Sequence, residues 1–405
     1  MATATPIHEA HRDVLKAFAI LGAFFLTAAA GVYLYGLDLR PAFPRDGSGL
    51  VVGRDFLNFW MYGHAATLPN PGRWYDPVAY QDALAAVLGP NYPGQNWSYP
   101  PTIMLIAAPF ARLSYLLALL CWTVLSLAIF VSTAARWLND GRALFALAVS
   151  PAAVFCLMSG QSSFLSTAIL IGVFTLIDRR PLIAGVLIGL LTLKPQLGLL
   201  FPVVLIASAR WRVFAAAAVT ALALAALAAA VFGPQAWIDF VTGGLPTQNI
   251  VLTDPEGIAT PFYPTVFMNL RGIGMSYAAA MTVQAAIAAA AVAALAWAFY
   301  CRRNADPRLL FALFAACSIA AVPYFALYDT LALTAAAMGL LSGGFLRTRG
   351  AWLTRLIYWL PLLQIGLGTL HIPGPALIAP AFALYLVQRL KGMRSAAAEP
   401  LPAPV

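Results

Sequence analysis

The chain has 405 residues, 61% of them hydrophobic and 10% charged, with a net charge of +9 at pH 7 and a mean hydropathy of +0.81. That apolar share exceeds what a soluble domain carries and reads as an all-α polytopic membrane protein. Positive residues occur in twos and threes between apolar runs and form no basic stripe, so nucleic acid is not the expected partner and the charge marks membrane topology instead.

The first apolar segment, Val14 to Gly36, follows a polar tail (1–13) and is long enough to cross a hydrocarbon core of roughly 30 Å. A cleavable signal peptide ending near Ala28 to Ala30 is an alternative reading, and both place Asp55 on the outer side. A large first outer loop (37–113) comes next. In it, GRDFLNFW (53–60) reads as a helix start that sets Asp55, Asn58 and Tyr62 along one side, suited to a polar cavity. Phe56, Phe59, Trp60 and His64 lie along another, suited to lipid. Asp55 also fits an N-cap. YPPTIMLIAAPF (99–110) reads as a short helix in or dipping into the outer leaflet, broken by its prolines.

A single crossing is expected at Ser114 to Ala135. Beyond it, basic clusters recur at Arg136 and Arg142, Arg179 and Arg180, Arg210 and Arg212, Arg302 and Arg303, Arg347 and Arg349, and Arg389 with Lys391. If each cluster is cytoplasmic, every stretch between them crosses twice, and a chain breaker stands at each required hairpin. The breakers are SGQ (159–161), LKPQ (193–196), the loop from Gly233 to Gly274, VPYFALYD (322–329) and HIPGP (371–375). This gives about twelve spans in one transmembrane domain (14–390), with both termini inside and a C-terminal tail (391–405) whose EPLPAPV reads as disordered. Of the 24 Lys and Arg residues, 17 then lie inside and 7 outside. The pieces around GQ and KPQ are short for free spans and are expected to tuck against neighbours. GVLIG (185–189) reads as a small-residue face for close helix packing.

Cys121, Cys156, Cys301 and Cys317 lack metal-ligand spacing and read as small core residues. The one close acidic couple, Asp254 and Glu256 in TDPEG, is split by proline in a turn-like loop. No metal site and no cofactor are expected.

This topology puts Asp55, Gln161, Lys194 with Gln196, Arg271, and Tyr328 with Asp329 on the same outer face. Lys194 carries the strongest signal, since a lysine at a helix centre costs roughly 2.5–3.5 kcal/mol on insertion and must face protein, water or an anion. Pro195 disfavours helical geometry at Lys194 and opens the backbone there. Snorkelling of Lys194, a cap at Asp329, a lipid headgroup contact at Arg271 and a loop position at Gln161 are the structural alternatives.

Five motifs in order, GRDFLNFW (53–60), WSYPPTIMLIAAPFARL (97–113), SGQSSFL (159–165), RRPLIAGVLIGLLTLKPQLGLL (179–200) and VPYFALYDTLAL (322–333), give the chain a resemblance to glycosyltransferase family 87 over about residues 14–390. These are class C membrane glycosyltransferases that include polyprenyl-phosphate-mannose-dependent mannosyltransferases. The resemblance implies an outer-face, periplasmic active site in a bacterial inner membrane, a polyprenyl-phosphate sugar donor, a glycan or glycolipid acceptor, and Asp55 as catalytic base. It maps the family's Lys-Pro segment onto Lys194 and Pro195, and its YD segment onto Tyr328 and Asp329. Related sequences carry a histidine near the YD motif, which PYFALYD lacks here, and this leaves the sugar and the acceptor open.

A sugar on a lipid phosphate already has a stable anionic leaving group, so the donor needs cations more than a general acid. Lys194, Arg271 and Arg54 are the candidates. On the far side of the anomeric carbon a carboxylate takes the acceptor hydroxyl's proton, as in inverting glycoside hydrolysis with a sugar hydroxyl in place of water. Asn58, Gln161, Gln196, Tyr328 and Asp329 are then the expected sugar contacts. A lipid-linked glycan flippase, a glycan ligase and a non-catalytic scaffold are the rival functions. The one-sided polar set and the absence of a repeat visible by eye weigh against alternating access.

Overall fold

The computed structural model describes residues 6–253 and 260–393. The Asp254 and Glu256 couple and the EPLPAPV tail lie outside the described residues. The described residues fold into helices joined by turns, with no strand among them beyond isolated bridges at Asp38, Arg45 and Val51.

Four helical stretches are long and apolar enough to cross a membrane: Ala10–Tyr35, Tyr115–Leu138, Trp211–Phe232 and Tyr277–Cys301. The first belongs to a helix running Pro6–Tyr35, so helix already begins inside the segment read as a polar tail. A fifth span forms if Gly141–Ala148 and Pro151–Ser159, bent by 47°, count as one. The bend falls where Pro151 opens the second helix and the Ser150 hydroxyl accepts from Ala153 N–H. The twelve spans expected from the sequence are not reached by length and composition. The other apolar helices, such as Ser163–Leu176, Pro307–Ala321 and Leu327–Ser342, have 10–17 residues, short of the roughly 20 that a free span requires.

Burial explains the short ones. The long helices keep outward faces such as Ile20, Phe24, Leu120, Val124, Val219 and Leu222 exposed, as lipid-facing surfaces do. The 307–321 helix is buried from Leu309 to Ala320, and the 331–342 helix from Leu331 to Leu341. A helix apolar on all sides belongs in an interior, and these two form the centre of the bundle.

The basic clusters gather by direct contact. Arg210 forks onto Asp178 at 2.8 Å and donates to the Arg303 carbonyl. Arg308 donates to the Trp137 carbonyl, and Arg389 to that of Phe345. The segments between them therefore leave and return to the same end, as the charge pattern requires.

The GVLIG face packs as expected. A Cβ on Gly185 would stand 2.4 Å from Ala216 Cβ and 2.6 Å from the Val213 carbonyl, and one on Gly189 would stand 2.5 Å from Thr220 Cβ. The 181–190 helix thus lies backbone to backbone on the 211–232 helix. Gly185→Leu is expected to destabilise the protein by about 1–3 kcal/mol, read as a lowered thermal unfolding midpoint in lipid nanodiscs, whereas Gly366→Ala, with open space around it, leaves that midpoint in place.

The cysteine reading holds for two of four. Cys156 and Cys317 are buried, while Cys121 and Cys301 are exposed on long apolar helices, where a thiol meets lipid at little cost.

Candidate active site

Asp55 is the second residue of helix Arg54–Ala65, which lies between the first two long apolar helices. Its N-cap is Gly53, in the left-handed region at φ 68°, and no side chain caps the helix, so the N-cap reading of Asp55 does not hold. Only glycine fits Gly53 comfortably: the φ is positive and a Cβ would lie 2.8 Å from Leu119. Phe56, Phe59 and Trp60 are buried. Phe59 packs on the Trp122 ring at 4.3 Å and Phe56 on Tyr115 at 5.8 Å. The expected lipid contact of these aromatics is therefore a protein contact, because the 115–138 helix covers them. The 102–107 helix also packs on protein, with Thr102, Ile103, Met104 and Ala107 buried.

Three helix breaks meet this helix end. The first is Gly160, left-handed at φ 68°, which ends helix Pro151–Ser159 with Gln161 N–H donating back to the Cys156 carbonyl. A Cβ there would lie 2.7 Å from Phe56 Cβ, so glycine also permits the close approach that brings Gln161 to Asp55. The second is Lys194, at φ −140° and ψ 72°, held out of helical geometry by Pro195 as its sequence predicts. The third is the turn Leu327–Thr330, which carries Tyr328 and Asp329 between two buried helices. Irregular backbone is tolerated at membrane depth where protein buries it.

Their side chains form one network. Gln161 Nε2 donates to Asp55 Oδ2 at 3.2 Å and to the Tyr328 hydroxyl at 3.1 Å. Lys194 and Asp329, 3% and 4% exposed, form an ion pair with each other. Ser163 Oγ donates to the same Asp329 oxygen at 2.6 Å, and Lys194 Nζ reaches Ser163 Oγ at 3.3 Å and Gln161 Oε1 at 3.5 Å. Lys194 also stands 5.1 Å from the centre of the Tyr328 ring, a cation–π distance.

Asp55 keeps partial exposure beside a cavity of about 30 Å³ lined by Phe59, Tyr62, Tyr99, Trp122 and Gln161 among others. That space suits a single water, so a hexose enters only if the aromatic wall moves apart. Burial pushes the Asp55 carboxyl above its ordinary range, against the lowering effects of the Gln161 hydrogen bond and of the Arg54 and Lys194 charges.

Of the expected site residues, Asp55, Gln161, Lys194, Tyr328 and Asp329 come together, and Arg54 lies next to Asp55 with its side chain exposed. Three others do not join the network. Arg271 folds onto its own helix end, donating to the Met275 carbonyl at 2.8 Å. Asn58 donates to the Asn96 carbonyl and accepts from the Tyr80 hydroxyl, so its amide ties the 54–65 helix to residues 80 and 96. Gln196 has no hydrogen bond to the cluster among the described residues. Lys194, expected at a phosphate, has its charge answered by Asp329.

Ser163 and Tyr99 were missed as site residues, although both lie in motifs already singled out, SGQSSFL and WSYPP. Tyr99 lines the cavity, and its backbone holds two loop phenols: its N–H donates to Tyr62 Oη at 2.6 Å, and its carbonyl accepts from Tyr75 at 2.7 Å.

A family model, glycosyltransferase family 87, matches residues 97–323, more than half of the chain. The chain belongs to glycosyltransferase family 87. It is thus a membrane glycosyltransferase, acting on a sugar donor and an acceptor. No curated protein and no solved structure matches it. The family match covers Gln161, Ser163 and Lys194 of the network; Asp55 and the Tyr328–Asp329 turn lie outside the matched residues.

Proposed function

We propose that this family 87 glycosyltransferase moves a hexose, mannose on the family resemblance, from a polyprenyl-phosphate donor to a hydroxyl of a glycan or glycolipid. The transfer takes place at the outer, periplasmic face of a bacterial inner membrane, with inversion at the anomeric carbon. What supports this most is Asp55: a carboxylate lining an aromatic-walled cavity, its Oδ2 held by an amide.

In the proposed step the acceptor oxygen attacks the anomeric carbon as its proton passes to the Asp55 carboxylate. The bond from that carbon to the phosphate oxygen breaks on the opposite face, and the lipid phosphate leaves as an anion. Such a leaving group needs positive charge more than a proton donor. Arg54 serves that role in the proposal, being exposed and without an ion pair among the described residues, whereas Lys194 is neutralised by Asp329. Phe59, Tyr62, Tyr99 and Trp122 offer flat apolar faces to the sugar and the first isoprene units.

The test is transfer by purified protein in lipid nanodiscs with radiolabelled polyprenyl-phosphate-mannose and a panel of glycan and glycolipid acceptors. Label moving into a new glycosidic product, insensitive to chelator, is the expected result. Transfer only from a nucleotide-linked sugar, or abolished by chelator, would overturn the donor assignment.

A further inference from the structure

Gln161 is hydrogen-bonded to both charged parts of the network, Asp55 on one side and Lys194 on the other. Its amide has little choice of orientation. Oε1 faces two donors, the Ser162 N–H at 3.1 Å and the Lys194 ammonium at 3.5 Å. Nε2 is thereby left to give its two hydrogens to the Asp55 carboxylate and the Tyr328 hydroxyl. An inverted amide would set NH₂ against an ammonium and a backbone N–H and a carbonyl against a carboxylate, losing the Asp55, Lys194 and Ser162 bonds and keeping only that to the Tyr328 hydroxyl, which can donate as well as accept. Lys194 is fixed in turn by Asp329 and Ser163 at the buried end.

We propose that Gln161 is a positioning residue that holds the Asp55 carboxylate ionised and oriented for proton removal, and that the buried Lys194–Asp329 pair keeps Gln161 in its donating orientation. The pair then acts on the reaction through Asp55, without touching donor or acceptor. This rests on Asp55 being the base, and it replaces the expectation that Gln161 is a sugar contact.

The charged and titratable groups around Asp55 are Arg54 and Tyr62 on its own helix, Lys194 with its partner Asp329, and the phenols Tyr99, Tyr115, Tyr263, Tyr324 and Tyr328. Phenols stay neutral throughout the range in which a carboxylate titrates, and the two cations remain in a Gln161 variant. A change in Asp55 titration on replacing Gln161 therefore reports the lost hydrogen bond. A hydrogen bond to a charged group is strong enough to move a carboxyl midpoint by about one to two pH units.

The experiment is an infrared pH titration of the full-length protein in nanodiscs, following the C=O stretch of the protonated acid that disappears in Asp55→Asn. The expected result is a midpoint about one to two units higher in Gln161→Leu than in wild type. Lys194→Met/Asp329→Leu should move it less, in the same direction. Gln161→Met, unbranched like glutamine, serves as the second variant should the leucine fail to fold. An unchanged midpoint in a folded Gln161 variant overturns the proposal, as does an altered KM with unchanged kcat and acid limb, which is what a sugar contact would give. Because the titration needs no substrate, it fails or succeeds independently of the transfer assay on Asp55→Asn, which tests the base itself.

Discussion

Asp55→Asn is expected to lower sugar transfer by about 10²–10⁴-fold, the usual contribution of a positioned general base, with thermal unfolding and donor binding close to wild type. The amide is nearly isosteric, and its oxygen still accepts from Gln161 Nε2, so the helix start and the cavity should survive. What disappears is a group that can take the acceptor's proton. The pH dependence of the wild type gives a second reading of the same side chain. Burial raises the Asp55 carboxyl, and the base works only when ionised, so kcat/KM should climb with pH through a midpoint above the ordinary carboxylate value and fall away below it. Asp55→Asn should flatten that limb together with the rate. Retained turnover in Asp55→Asn, with the limb intact, would sink the assignment.

Much of this site could be read from the sequence because membrane proteins make irregularity expensive. A lysine followed by proline in an apolar stretch, a Gly-Gln between two apolar runs and a Tyr-Asp after a proline each needed burial in protein, and Gln161, Lys194 and Asp329 meet for that reason. Pairing could not be read. Lys194 looked like a cation waiting for phosphate, since no local pattern links it to Asp329, 135 residues further on. Asn58 shares a helix face with Asp55, yet helical spacing cannot reveal that Tyr80 and Asn96 come from the following loop to occupy its amide. Ser163 carried no charge to draw notice. The span count was less legible: hydropathy and positive charge register turns at the membrane ends, whereas length and composition single out four or five crossing helices and leave 307–321, enclosed by its neighbours, short of a free span.

The Lys194–Asp329 pair separates stability from catalysis. Lys194→Met alone strands a buried carboxylate whose remaining hydrogen-bond partner is Ser163, and Asp329→Leu alone strands a buried ammonium. Each should cost about 3–5 kcal/mol, as breaking a buried pair from one side does, and each should lower the thermal unfolding midpoint in nanodiscs markedly. The double variant Lys194→Met/Asp329→Leu removes both charges and fills the space with apolar atoms, a change that is often neutral in a packed interior. Its midpoint should return close to wild type, giving a strong positive coupling in the double-mutant cycle. Transfer should return only in part, because the double variant keeps the Ser162 N–H on Gln161 Oε1 but has lost the ammonium that helps fix the amide's orientation on Asp55. A double variant restored in both stability and turnover would mean that the pair serves packing alone; one restored in neither would mean that the charges hold the three helix breaks together directly.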